Sequence, residues 1–387
     1  MKCEPFKIGF IGGGLNSAVG NTHRIACQMD HRWILEAGCF STEPLINQET
    51  AEKWGVHSER LYDDWQAFLT REKGRLDAVC LLTPTPLHAE MAVEALNQGY
   101  AVICEKAMAT TSREAGAICA AVDNNKSFFA VTYNYTGYPM LRELRQMIAA
   151  GKLGKLNLVQ IEMPQEGFAR LDKQGRKPQP QAWRLRDGVV PTISLDLGVH
   201  LHQMIHFLCG ERPLEVVADH SSYGFFDAVK DNVMCIARYS GNLRSQIWYS
   251  KMALGHRNGL RVRVYGDRGA AEWFQLQPEE LIFNDLYGRR EIIDRASSVE
   301  LADQLRYNRF KSGHPAGFIE AFANHYYDLA EALIEFRGKG KYSSPWVFPA
   351  ALAKDGLKML EAVALSAESG KWQPVVEAGV QARQSRC

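Results

Sequence analysis

The sequence predicts an α/β protein built as a doubly wound parallel sheet followed by a second α/β domain with an open, mainly antiparallel sheet. Three observations carry this. The first third of the chain alternates apolar strand-like runs with helix-like segments. After about residue 133 the pattern shifts toward strands that alternate apolar and polar residues. The length, 387 residues, exceeds what one core usually organises.

The N-terminal strands read as "FKIGFIG", "WILEAGCFS", "LDAVCLLTP" and "AVICEK", with "FFAVTYNY" closing the sheet. Segments such as "EPLINQETAEKWG" and "LHAEMAVEALNQG" lie between them, the second ending at a glycine suited to a helix C-terminus. This order implies parallel strands with helices on both faces. A helix, "YPMLRELRQMIAAGKLG", and a strand, "KLNLVQIEMP", open the second part. A polar loop, "RLDKQGRKPQPQAW", and the helix "SLDLGVHLHQMIHFL" follow. Then come the strands "LEVVADHSSYG", "DNVMCIARYS", "LRSQIWYSKM", "LRVRVYGDRG" and "AAEWFQL", and two closing helices. The expected domains are residues 1–132 and 133–375, with 376–387 a tail.

Composition narrows the function classes. Basic and acidic residues nearly cancel, to a net charge of +1, which argues against a nucleic-acid or membrane-surface partner. No stretch approaches the ~20 apolar residues that span a bilayer, and the start lacks a secretory signal pattern. The nine cysteines include no C-x-x-C pair. Cys39, Cys80 and Cys104 fall in apolar runs and read as buried hydrophobes of a reducing, cytoplasmic compartment.

"GFIGGGLNSAVGNTHR" follows the first strand. Gly12 and Gly14 supply the first two positions of G-x-G-x-x-G, with Gly13 between them. Ser17 takes the third position and the next glycine is Gly20, as if three residues around Asn16 were inserted. Glycines allow backbone N–H groups to approach a pyrophosphate, and the helix that follows offers its positive end. The second strand ends at Phe40, Ser41 and Thr42, without an acidic residue to read ribose hydroxyls. The cofactor is therefore NAD or NADP, with a narrow lean to NADP. Thr83, Pro84, His88, Glu105 and Lys106 follow later strands, at the sheet edge where ligands sit in parallel α/β proteins.

The glycine loop, "TPTPLH", "CEKA" and a later D-x-G-x-H together resemble the Gfo/Idh/MocA family of sugar and polyol oxidoreductases, over nearly the whole chain. The resemblance implies a Rossmann domain, a nicotinamide cofactor and a sugar, polyol or sugar-derivative substrate. It places the catalytic lysine at Lys106, the catalytic Asp–His pair at Asp196 and His200, and a cofactor-bordering pair at Trp183 and Arg184. The sequence departs from the family at Ala107, where a proline is usual, and at Gln203, where an acidic residue is often found.

On an α-helix at about 100° per residue, Leu197, Leu201, Met204, Ile205 and Leu208 form a core stripe. Asp196, His200 and Gln203 gather beside it, with His202 and His206 on the far side. The three histidines then cannot converge on one ion, and no metal is expected. His202 and His206 read as packing or inter-subunit residues. Alcohol oxidation needs a base for the hydroxyl proton, and His200 or Lys106 can supply it. Asn134 is expected at the nicotinamide end of the cofactor, with Tyr135, Tyr138 and His314 as candidate substrate contacts.

The resulting expectation is hydride transfer between a nicotinamide and a hydroxyl or keto carbon. Two rivals stand beside it: redox-assisted cleavage of a glycosidic bond with recycled cofactor, and a non-catalytic cofactor-bound sensor. A homodimer or homotetramer through the C-terminal sheet is expected, since a broad apolar face is rarely left in water.

Overall fold

The computed structural model describes residues 4–375, so the expected tail at 376–387 lies outside the described residues. The chain divides into two compact units. The first comprises Met1–Ala109, Arg113–Tyr138 and Ala316–Lys354. Its strands are β1 (Phe6–Gly12), β2 (Trp33–Cys39), β3 (Ala78–Leu82), β4 (Val102–Cys104) and β5 (Phe129–Val131). They form one sheet in the order β2-β1-β3-β4-β5, all parallel. Helices α1 (Gly20–Met29), α2 (Pro44–Trp54), α3 (Trp65–Glu72), α4 (His88–Asn97) and α5 (Ser112–Asn125) alternate with them. Every residue of β3 is buried, as an unbroken apolar run in a sheet covered on both faces requires. Cys39, Cys80 and Cys104 are buried free thiols, and burial pushes Cys39 up to about 12.

Apart from Thr110–Ser112, the second unit begins with α6 (Pro139–Ala149) and β6 (Leu156–Pro164). After α7 (Val199–Cys209) come β7 (Pro213–Ser221), β8 (Asn232–Tyr239), β9 (Arg244–Ser250), β10 (Arg261–Gly266) and β11 (Gly269–Phe274). A hairpin, β12 (Leu281–Asp285) and β13 (Arg290–Ile293), and a short β14 (Gln373–Pro374) complete the sheet. The order is β13-β12-β11-β10-β6-β9-β8-β7-β14, with β6 and β9 parallel and the other pairs antiparallel. On β8, Val233, Cys235 and Ala237 are buried while Met234 and Ile236 are exposed, so one face packs and the other is open. Beyond β13 the chain has no strand up to Pro315, and buried charges tether it. Glu143 accepts from the N–H groups of Glu300, Leu301 and Ala302. Arg295 donates to the carbonyls of Tyr307 and His314.

The chain then returns to the first unit, which corrects the expected single boundary at residue 132. Helix α8 (Phe318–Lys339) carries Phe322, Tyr326, Leu329 and Leu333 as a stripe at helical spacing. These residues join Ile8, Phe10, Cys27 and Trp33 in one core. Trp33 Nε1 donates to the Tyr326 carbonyl at 2.8 Å. The last helix, α9 (Ala350–Ser369), begins in the first unit and ends in the second. Among the described residues no helix is long and apolar enough to cross a membrane.

Candidate active site

The glycine loop is built for close backbone approach. Gly12 has φ +83°, and a β-carbon there would lie 2.8 Å from the backbone of Leu82 and Thr83. Gly20 opens α1, and a β-carbon on it would stand 1.6 Å from the Gly13 carbonyl oxygen. Gly20 therefore performs the packing task of the motif's third glycine, and the inserted residues loop out before it. Ser17 Oγ accepts from the N–H groups of Val19 and Gly20, which closes that loop onto the start of α1. Asn16 Nδ2 donates to Glu43 Oε1 at 3.4 Å. Glu43, just before α2, is an acidic group beyond β2 that reading only Phe40 to Thr42 misses. Ser41 Oγ accepts from the Glu43 N–H at 3.1 Å, and Thr42 is exposed. A bare glycine turn, the start of a helix and a nearby carboxylate fit a dinucleotide with unmodified ribose hydroxyls.

Lys106 follows β4 and is half-buried. The peptide bond joining it to Ala107 is cis. Two networks fix the backbone around it. Glu105 Oε2 accepts from the Lys106 N–H at 3.1 Å, while Oε1 lies 2.9 Å from His23 Nε2. His23 Nδ1 is 2.7 Å from the Tyr326 hydroxyl. Burial alone would raise the Glu105 carboxyl, but the His23 hydrogen bond and charge, then Lys106 and His88, carry it below its ordinary value. An ionised Glu105 requires a proton on Nε2, so in the neutral ring Nδ1 accepts from Tyr326. His88, on the other side, is 1% exposed. Its Nδ1 and Nε2 each lie 2.7 Å from a carbonyl, of Ala107 and Thr83. The His88 ring thus lies between the segments that follow β3 and β4. Burial lowers its pKa further than the two carbonyls raise it. Thr83 is half-buried and Pro84 exposed.

In the second unit, Asp196 does not stand on the α-helix. It lies in a single π-type turn, Ser194–Gly198, that precedes α7. Such a turn closes i to i+5, so a projection at α-helical spacing misplaces Asp196 relative to His200. Along α7 nearly every residue from Val199 to Leu208 is buried, His200, His202 and Gln203 included, with His206 half-buried. The His202 ring packs where a β-carbon on Gly356 would fall, 2.8 Å from its Cδ2. Asp196 Oδ2 receives two cations, Arg184 Nη1 at 2.6 Å and Lys251 Nζ at 2.5 Å. The Arg184 guanidinium stands 4.5 Å from the Trp183 ring centre. Lys251 follows β9, fifty-five residues beyond Asp196, and sequence spacing gave no signal for the pairing.

The remaining candidates scatter. Asn134 is buried at the start of a 3₁₀ turn after β5, and its Nδ2 has no hydrogen-bond partner among the described residues. That donor can meet a ligand carbonyl, consistent with a cofactor's amide. Tyr135 and Tyr138 are buried, Tyr135 with its ring 6.1 Å from that of Phe318. His314 is exposed on the tethered segment before α8. In the basic loop, Arg176 pairs with Asp172.

Comparison with known proteins identifies the family. Residues 6–133 match the oxidoreductase family with NAD-binding Rossmann fold, and residues 141–272 match the GFO/IDH/MocA C-terminal domain. The uncharacterised oxidoreductase YfiI of Bacillus subtilis is 29% identical over 342 residues, covering 85% of this chain and 86% of its own. A crystal structure of an oxidoreductase from Sinorhizobium meliloti is 31% identical, with a TM-score of 0.83, covering 96% of this chain and 99% of that one. An inositol dehydrogenase homologue from Azotobacter vinelandii, solved with NADH and myo-inositol, is 26% identical with a TM-score of 0.86, covering 96% and 98%. The mainly antiparallel sheet, the five-stranded Rossmann unit and both motif sets thus lead to one conclusion: the chain belongs to the GFO/IDH/MocA family of oxidoreductases.

Proposed function

We propose that this chain is an NAD-dependent dehydrogenase that oxidises a hydroxyl of a cyclic polyol or sugar, or runs the reverse reduction. The observation that carries the reading is the placement of Lys106 at the carboxyl end of β4, in the same parallel sheet whose β1–α1 turn holds the glycine cradle. Ligands of such sheets bind at that edge. The Azotobacter relative, solved with NADH and myo-inositol, supports the substrate class.

The cradle of Gly12, Gly13, Gly14 and Gly20 would hold the pyrophosphate, Asn16 and Glu43 the adenosine ribose, and Asn134 the nicotinamide amide. Glu43 favours NAD, because a carboxylate there repels a 2′-phosphate. Bound NAD supplies a hydride acceptor for the carbinol carbon. Asp196, held by Arg184 and Lys251, accepts a hydrogen bond from a substrate hydroxyl, while the two cations offer donors to neighbouring oxygens. His200 and Lys106 are the two groups that can take the reacting hydroxyl's proton. Glu105, His23 and His88 position Lys106 without touching substrate. The open sheet face around Met234 and Ile236 meets a second copy of the chain.

A panel of inositols, sugars and nucleotide sugars, scanned with NAD and NADP at the absorbance of the reduced nicotinamide, tests the reading. Steady NADH formation on a polyol or sugar supports it. Product without net NADH would mean the cofactor recycles and favours glycosidic cleavage. Stoichiometric NADH binding with no turnover on any compound would mean a sensor.

A further inference from the structure

We propose that Lys251 is a positioning residue of the reaction, holding Asp196 as a permanently ionised hydrogen-bond acceptor; this rests on the dehydrogenase reading above. Lys251 side-chain exposure is only 9% and that of Asp196 is 13%. A lysine placed so far from water needs a paired anion to stay charged. Nothing in the strand pattern asks for a cation there, since β9 ends in Tyr249 and Ser250, both buried. The backbone fixes the residue from two sides. The Lys251 N–H donates to the Asp231 carbonyl at 2.7 Å, and its own carbonyl accepts from the Phe168 N–H at 2.8 Å. Its Nζ stands 5.1 Å from the Phe168 ring centre, an apolar shelf that directs the ammonium without competing for it.

Both cations converge on one oxygen of Asp196, Oδ2, Lys251 at 2.5 Å and Arg184 at 2.6 Å. Two positive charges on one carboxylate oxygen favour the ionised form and set the plane of the carboxylate. A carboxylate so held does not take up a proton during turnover. Proton transfer then falls to His200 or Lys106, and Asp196 works by orienting. Arg184 stands on a short turn of the polar segment and Lys251 at the end of a sheet strand, so the sheet supplies the fixed anchor of the pair.

The test is a double-mutant cycle on the NAD-loaded full chain: wild type, K251M, D196N and the double variant. It uses whichever panel compound wild type turns over fastest. Lys251→Met should lower the single-turnover hydride-transfer rate by about tenfold or more, with KM moving less than about threefold. Added to Asp196→Asn it should cost less than about twofold further, because the carboxylate it serves is gone. Lys251→Arg, which keeps the charge, should retain most of the rate, and it replaces Lys251→Met in the comparison with Lys251→Gln if the methionine variant does not fold. A wild-type rate in Lys251→Met, or losses that multiply in the double variant, would overturn the assignment. Urea unfolding of the four proteins separates a coupling in rate from one in stability alone. A wild type inert toward the whole panel would overturn the dehydrogenase reading itself, and this assignment with it.

Discussion

Nε2 of His23, one turn into the helix after the glycine loop, lies 2.9 Å from Oε1 of Glu105, the residue before Lys106. The pair joins α1 to the loop that presents Lys106, and both side chains are buried. Removing the imidazole takes the donor from Oε1 of a buried carboxylate, while Oε2 keeps the Lys106 N–H. His23→Ala should therefore cost about 1.5–3 kcal/mol in urea unfolding. Tyr326→Phe, which deletes one neutral hydrogen bond to the same ring, should cost only about 1 kcal/mol. Equal losses from the two changes would contradict the order of the network.

The stability of the chain should fall on the acid side in two stages. Burial depresses the pKa of His88, His206 and His220, so their neutral forms favour the fold. For a depressed histidine the unfolded chain binds the extra proton, and stability is lost as pH drops from about 6.5 through the folded value. Glu105 is held down by its hydrogen bond from His23 and nearby charges, and Glu72 by Arg60 and Tyr62, in each case outweighing burial, and their contribution is lost as pH drops below about 4.5. Urea midpoints measured from pH 8 down to 4 should decline first near 6.5 and more steeply below 4.5. A flat profile between pH 8 and 5 would refute the histidine stage.

Two glycines should respond oppositely to alanine. Gly20→Ala drives a β-carbon into the Gly13 carbonyl, so it should lower NADH affinity by tenfold or more, about 1.4 kcal/mol, by fluorescence titration. Gly116 lies within α5 with open space around a β-carbon. Gly116→Ala should raise stability by about 0.5–1 kcal/mol and leave NADH binding unchanged.

Cofactor choice should turn on Glu43. Glu43→Gln removes the charge that faces the loop residue Asn16. It should improve kcat/KM with NADP relative to NAD by about tenfold, the value of ~1.4 kcal/mol. An unchanged ratio would place the discriminating group elsewhere.

The parallel sheet, its helices and the strands up to β11 were legible in the sequence, because apolar period and glycine punctuation report local structure directly. The β12–β13 hairpin was not, since its strands are short and flanked by charged residues. Candidate site residues could be placed on the fold where motif and element coincide. Gly12, Gly20 and Lys106 stand at strand ends or helix starts that a pattern can find. What escaped was long-range pairing. Tyr326 reaches His23 across 303 residues and Lys251 reaches Asp196 across 55, and no local period encodes either contact. The π-type turn escaped for a related reason. One widened turn leaves the apolar spacing of "SLDLGVHLHQMIHFL" nearly intact while rotating Asp196 away from its α-helical position.

Lys106 carries the central claim, and Lys106→Met tests it most directly. NADH affinity should stay within about threefold of wild type, because the glycine cradle and Glu43 are untouched. Turnover of the best polyol or sugar should fall by about 10²–10⁴-fold, the usual contribution of a positioned proton-transfer group. Turnover within tenfold of wild type, with cofactor still bound, would contradict the role assigned to Lys106.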